Sequence, residues 1–408
     1  MLITELSQLE FARQKNTLNL IASENYPSPA VMSLVGSPWM SKYGEGYPGK
    51  RYYAGNANTD ILENYVQDMA LTVFDKTGEY GVNVQMLSGS PANALVYLSV
   101  LEPGDTVMSL GLNEGGHLSH LHSTSAWNKF FKYLNYTVKT SEGGFEIDEA
   151  DFTLKLEQNR PKLVILGFSS YPASYEFQRL CELAHSYGAL VLADIAHISG
   201  LVAAGLHDSP FKSGVSGADI VTMTTHKTLR GPRGALLFAK KELMPILNRT
   251  AFPGSLGGPH FNTIAGYARM FEEILGMEQY SDGRDFVTYS QAVIENAKAL
   301  EIGMEEGGLE IVTKTDTHLV LAKLPETTDS LVLQKELEVK RLITNRNAIP
   351  FDTKTPWKPS GLRVGSAALT SRGATYEDMR IIGRMIGENS DNQVDAILSR
   401  LSWWYEQK

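Results

Sequence analysis

Two stretches decide the fold: Leu190-Val191-Leu192-Ala193-Asp194 and Ile220-Val221-Thr222-Met223-Thr224-Thr225-His226-Lys227. Each opens as a short run of apolar and β-prone residues and closes on a charged side chain. Runs of this kind, without polar alternation, read as strands covered on both faces. Similar runs fall at 82–86, 106–110, 163–168 and 235–239. Helical periodicity appears around them at 60–75, 92–101, 149–158 and 176–187. This alternation predicts an α/β fold, a mostly parallel sheet flanked by helices. Ligands of such sheets sit outside the carboxyl ends of the strands. Asp194 and Lys227 therefore stand where chemistry is expected.

Away from this core the pattern changes. Residues 18–60 are rich in Ser, Asn, Gly, Pro and Tyr and show little periodicity. A long irregular segment in a compact enzyme marks a functional surface or a subunit contact. The first 16 residues are polar and read as an arm or helix. Beyond about 280 the spacing predicts a long helix at 286–307, strands at 309–313 and 318–323, and a helix at 330–340. A strand at 362–366 and helices past 375 complete a smaller α+β domain. The expected division is an N-terminal arm over 1–30, a large domain over 31–280 and a small C-terminal domain over 281–408.

Composition narrows the class. The 408 residues carry a formal net charge of −9, with no Lys/Arg-rich stripe. Nucleic acid and anionic membrane surfaces are poor partners for such a chain. The single cysteine, Cys181, rules out an internal disulfide and fits a reducing compartment. Its amphipathic surroundings predict a buried structural thiol. Glu5 and Glu10 near the start do not fit a signal peptide, and no apolar run reaches the roughly 18 residues of a membrane span. A cytoplasmic enzyme is expected.

Singly, the candidate residues have plain readings. Asp194 could cap the next turn, and Lys227 could be a solvated lysine. Together with the turn Ser88-Gly89-Ser90-Pro91-Ala92-Asn93 they match the needs of a pyridine-ring electron sink. Such a cofactor takes a Schiff-base lysine, a carboxylate for the ring nitrogen and an anchor for its phosphate. Small residues at a helix start let backbone N–H groups approach a phosphate. His117, in Gly115-Gly116-His117-Leu118-Ser119-His120, offers a flat ring for stacking. The rival use of His117, His120 and His122 as metal ligands lacks a neighbouring Cys or carboxylate cluster, and no metal is expected. Arg363 offers a fork suited to a carboxylate, or else a surface ion pair.

Several ordered motifs resemble the serine hydroxymethyltransferase family, over about residues 10–390. They are Leu20-Ile21-Ala22-Ser23-Glu24-Asn25, the run 42–53 (KYGEGYPGKRYY), the 88–93 turn, GGHLSH, ADIAH, TTHKTLRGPRG, FPG…GGP and Ser360-Gly361-Leu362-Arg363-Val364-Gly365. The resemblance implies a fold-type I pyridoxal 5′-phosphate (PLP) transferase with a mostly parallel seven-stranded sheet. It implies that Lys227 carries the cofactor and Asp194 pairs with the pyridinium nitrogen. His197 and Ser169 would meet the phenolic side and His117 would stack on the ring. Ser88, Gly89, Ser90 and His226 would surround the phosphate, completed by Tyr43, Gly257 and Gly258 across a subunit interface. Ser23 and Arg363 would bind the substrate carboxylate. Glu45, with Tyr53 beside it, would handle protons near the transferred carbon, and Thr224 would shape the reacting centre. Leu112, Leu118 and Asn347 would lie along the folate.

The implied activity is reversible conversion of L-serine and tetrahydrofolate to glycine and 5,10-methylenetetrahydrofolate, through an external aldimine and a quinonoid. The implied assembly is a homodimer with shared sites. Two readings compete: a folate-independent threonine aldolase- or transaldolase-like enzyme, and a non-catalytic regulatory relative. Asn113-Glu114 and Ser255-Leu256 depart from the family pattern near the folate and interface regions.

Overall fold

The computed structural model describes residues 2–278, 280, 283–355 and 357–403. Its main sheet has seven strands: β1 (Tyr80–Asn83), β2 (Thr106–Leu110), β3 (Lys132–Tyr136), β4 (Leu163–Leu166), β5 (Leu190–Asp194), β6 (Ile220–Thr224) and β7 (Ala235–Lys240). The spatial order is β1-β7-β6-β5-β4-β2-β3. β7 runs antiparallel to β1 and β6, and every other pairing is parallel. The α/β fold with a seven-stranded, mostly parallel sheet is therefore present.

Side chains of β4, β5 and β6 alternate between two apolar layers. Val164, Leu166, Val191, Ala193, Val221 and Met223 face one layer, with Met69 and Phe271 of the helices Ala57–Phe74 and Phe261–Ile274. Leu163, Ile165, Leu192 and Ile220 face the other, with Ala92, Leu95 and Val96 of the helix Gly89–Val100. Each such side chain, fully buried, stabilises the fold by about 1.5–3 kcal/mol. Covering both faces holds the strand ends, and hence Asp194 and Lys227, in a fixed frame. Cys181 lies in the first layer, and burial pushes its thiol up to about 12, which leaves it inert.

Two strands of the main sheet stop short of the runs read from the sequence, each for a local reason. The run 82–86 pairs only up to Asn83, whose Oδ1 accepts from the Gln85 N–H at 2.9 Å and turns the chain out of the ladder. The run 163–168 stops at Leu166 because Gly167 takes φ 139° against the Asp194 carbonyl. A Cβ there would lie 2.0 Å from that oxygen, so only glycine permits the approach. The periodicity also missed β3, whose outer residues are exposed and polar as edge positions allow, and the helix Phe261–Ile274.

The smaller sheet is antiparallel, with β8 (Glu310–Ile311), β9 (Leu319–Lys323), β10 (Asn345–Asn347) and β11 (Gly361–Gly365) in the order β8-β9-β11-β10. The helices Phe286–Glu306 and Tyr376–Gly387 pack on it. The segment expected as an arm has two parts. Helix Ile3–Lys15 buries none of its residues. Strand Leu18–Asn19 pairs in parallel with Leu342–Ile343, and Leu18 and Leu20 sit in one core with Val320 and Leu362. The expected boundary at 280/281 falls beside residues 281 and 282, which lie outside the described residues. Among the described residues no helix is long and apolar enough to cross a membrane.

Candidate active site

Parallel pairing sets Asp194 opposite Thr222, so the carboxyl ends of β5 and β6 finish side by side. The chain after β6 delivers His226 and Lys227 to that edge, and the helix Gly89–Val100 points its N-terminus there. A cavity of about 170 Å³ results, lined by Ser88, Gly89, Ser90, His117, Ser169, Asp194, His197, Thr224, His226 and Lys227, together with Arg233. Ten residues singled out from the sequence are thus brought to one place from five separated segments.

Asp194 forms the buried acid of this cavity. Its Oδ2 accepts from His120 Nε2 at 2.8 Å and Asn93 Nδ2 at 2.8 Å, and its Oδ1 accepts from the Ala196 N–H at 3.0 Å. Burial alone would raise this carboxyl, but the His120 bond and charge and the Asn93 amide hold it well below the usual carboxylate range. Asn93 is fixed in turn, its Oδ1 accepting from Thr222 Oγ1 at 2.7 Å. His120 and Asn93, which the sequence did not assign to the site, thus bond its buried acid directly. His122, the other half of the rival metal pair, is half-buried and lies beside Thr124 Oγ1 instead.

Lys227 is buried and bonds Thr224 Oγ1 at 3.1 Å; among the described residues it has no ion-pair partner. Burial draws its amine down to about 8, while the Asp194 charge opposes that shift. An amine with that pKa is a far better nucleophile near neutrality than an ordinary lysine. His117 is brought down to about 4 and His226 to about 3, both chiefly by burial, so both rings are neutral. His117 is held by Ser119 Oγ, 2.7 Å from its Nδ1.

Arg363, on β11, crosses from the small sheet to this edge. Its Nη1 donates to the Ser169 carbonyl at 2.6 Å and its Nε to Asn345 Oδ1 at 3.2 Å. Burial lowers it to about 10, which still leaves it cationic. Among the described residues it pairs with no carboxylate, which leaves its charge and its Nη2 group for a ligand. Ser23 is partly buried and follows Ala22, whose Cα approaches Gly365 so closely that a Cβ there would lie 2.5 Å away.

The cavity fits a phosphorylated pyridine aldehyde on three observations. Ser88 is the N-cap of a 12-residue helix yet makes no side-chain cap, which leaves the first N–H groups for an anion. His226 Nδ1 is buried with no hydrogen-bond partner among the described residues. A Cβ on Gly89 would lie 2.8 Å from the Thr224 methyl, so the turn tolerates nothing larger.

The remaining expected residues are not in this cavity. Tyr43 donates to Glu45 Oε1 at 2.8 Å and meets Tyr53 edge to face at 5.1 Å. Gly257 and Gly258 lie against this pair, within contact distance of Glu45 and Tyr43. The whole group forms a separate surface cluster. Arg51 braces it from beneath, donating to the Gly44 and Gly46 carbonyls on either side of Glu45 and pairing with Asp60 and Glu63. Leu118 is exposed, Leu112 half-buried, and Asn347 Nδ2 bonds the Ala348 carbonyl at 2.7 Å; none of the three lines the cavity. Glu114, one of the departures, folds against Gly111, and burial raises its carboxyl.

Comparison with known proteins agrees with this geometry. Residues 2–386 match the family model described as serine hydroxymethyltransferase. The chain is 42% identical over 402 residues to a protein of Myxococcus xanthus named serine hydroxymethyltransferase, covering 98% of this chain and 92% of that one. A protein of the same name from Desulfotalea psychrophila is 41% identical over 403 residues, covering 98% and 91%. Another from Rhodopirellula baltica is 42% identical over 387 residues, covering 94% and 88%.

Proposed function

The chain belongs to the serine hydroxymethyltransferase family, and from that membership we propose how its own residues divide the reaction. It is a PLP-dependent serine hydroxymethyltransferase, with L-serine, glycine and tetrahydrofolate as its small-molecule substrates. The observation that carries the assignment is the meeting of Lys227, Asp194 and the uncapped helix start at Ser88 in one cavity.

When bound, PLP supplies the electron sink for the pair released at the serine Cα. Lys227 is the amine that holds it covalently, and its lowered proton affinity keeps a reactive fraction near neutral pH. Asp194 keeps the ring nitrogen protonated because His120 and Asn93 hold its charge in place. Ser88, Gly89, Ser90 and His226 hold the phosphate. His117 covers the ring face as a neutral imidazole, and His197 and Ser169 meet the phenolic side. Arg363 and Ser23 orient the substrate carboxylate, which fixes the bond at Cα that can break. Thr224 steadies the Lys227 amine.

Glu45, Tyr43, Tyr53, Gly257 and Gly258 serve the cavity of a second copy. Glu45 moves a proton at the serine hydroxymethyl oxygen there. A C2 dimer with two shared sites follows from this reading. Leu112, Leu118 and Asn347 guide the folate. We divide the chain at 30/31 and 280/281, and place the enzyme in the cytoplasm on the basis of its single buried cysteine.

The test is conversion of serine to glycine by the PLP-loaded protein, with and without tetrahydrofolate, with threonine as comparison. Folate-dependent glycine formation, lost in Lys227→Ala, is expected. Equal serine cleavage without folate would instead favour the aldolase-like reading.

A further inference from the structure

His318 has no part in the reaction outlined above, yet it lies fully buried beside the cavity. We propose that His318 is a positioning residue: it fixes which nitrogen of His197 carries the proton, and links that choice to the seating of the small domain. The inference rests on the reading that His197 meets the cofactor.

The contact is specific. His197 Nδ1 and His318 Nε2 lie 3.2 Å apart, with ring centroids 5.3 Å apart and planes inclined by 33°. At that distance one nitrogen donates and the other accepts, since two bare nitrogens or two N–H groups would repel. Burial depresses the proton affinity of both rings, as do Lys227 and Arg363 nearby, so each ring is neutral and carries one proton. The two tautomers are therefore coupled.

The backbone chooses between them. His318 turns Nε2 to His197, so Nδ1 is its other nitrogen, buried and without a hydrogen-bond partner among the described residues. The Ala22 backbone raises the affinity of the ring for a proton, and a group that does so is an acceptor. With Nε2 engaged by His197, that favours the proton on His318 Nδ1. Nε2 of His318 is then bare and accepts from His197 Nδ1–H. His197 Nε2 in turn carries a lone pair and acts as an acceptor for the phenolic side of the cofactor.

The seat of His318 belongs to the small domain. It directly precedes β9, and the Ser366 N–H donates to its carbonyl at 2.9 Å. Ser366 follows β11, the strand that carries Arg363. The N–H of Gly365 bonds the Leu20 carbonyl at 2.8 Å, which draws the segment 20–22 against the same site. Arg363 and His318 are thus two projections of one sheet toward the cavity wall, one bonded to the Ser169 carbonyl and one behind His197.

The test compares His318→Phe, which keeps the volume but no nitrogen, with His318→Gln, whose amide can accept near the Nε2 position. Long-range ¹H–¹⁵N spectra of the cofactor-free protein read the His197 tautomer directly. The native chain and His318→Gln should hold the proton on Nδ1, while His318→Phe should move it to Nε2 or mix the two. After PLP loading, His318→Phe should shift the visible band of the cofactor and weaken its binding about ten-fold, the scale of one buried hydrogen bond. An unchanged tautomer in His318→Phe, or a Gln variant no better than Phe, would overturn the proposal. So would loss of folding in both variants, which would make the residue packing alone. Failure of the native chain to bind PLP would refute the cofactor reading and leave the tautomer measurement standing.

Discussion

The cavity at Lys227 and the surface at Glu45 come from one chain but differ in how complete they are. In the cavity Lys227 is 8% exposed and Asp194 9%, and the acid is bonded on both oxygens. At the surface Tyr43 is 50% exposed and Tyr53 48%, although Arg51 holds the loop as firmly as a core element. Rigid but exposed aromatics around a carboxylate are the expected form of a half-site. The first region tunes its groups by burial within the chain. The second is positioned by its own chain but left open, as the proposed dimer requires.

Four experiments would break or sharpen this contrast. Lys227→Ala should cost at least about 1,000-fold in serine cleavage, within the range for one catalytic group, and abolish the visible cofactor band. Activity near that of the native chain would remove the cavity from the reaction. Glu45→Gln should lower folate-dependent turnover about 100-fold while leaving PLP affinity and melting temperature unchanged. Mixing that variant with Lys227→Ala should recover about a quarter of full activity, because half the dimers are hybrids with one competent site each. Zero recovery despite subunit exchange would place both residues in the same chain's site.

Arg363→Lys should reduce kcat/KM for serine about 30-fold, as a charged fork is replaced by a point charge. Isotope-free initial rates over a range of serine concentrations measure this, and a change below two-fold would deny Arg363 the carboxylate. The smallest change is expected at Tyr43→Phe. It removes the bond to Glu45 and the hydroxyl offered to the second copy's cavity, and a loss of about five-fold in turnover is expected, with melting unchanged.

The pH dependence of cofactor capture belongs to the cavity alone. The free amine of Lys227 is the form that attacks, and its folded-state value of about 8 lies below the 10.5 of an ordinary lysine. Stopped-flow capture of PLP by the cofactor-free protein should therefore rise with pH and level off above about 8. A rise continuing toward 10.5 would mean an ordinary, solvated lysine. The same shift means the unfolded chain binds the extra proton between these values, so this group adds to stability as pH rises through that window.

Much of this was legible before folding. Apolar runs of β-prone residues gave β2, β4, β5, β6 and β7 to within two residues, and period 3.6 gave the helices Ala57–Phe74 and Phe286–Glu306 but not Phe261–Ile274. Those signals are local: they depend on which residues are neighbours in the chain. Asp194 and Lys227 were visible because each interrupts such a run with a charge. His120, Asn93 and His318 were not, because nothing beside them in the chain says that they will meet an acid or another imidazole.

The sequence by itself therefore determined most of the elements, the α/β class and which lysine and acid stand at the strand ends. Only the tertiary structure decided the strand order, the contacts of His120 with Asp194 and of His318 with His197, and the parting of the Lys227 cavity from the Glu45 surface. The reason is one of range. Periodicity and turn chemistry act over a few residues. Strand pairing, desolvation and the distance between two side chains depend on segments that only packing brings together.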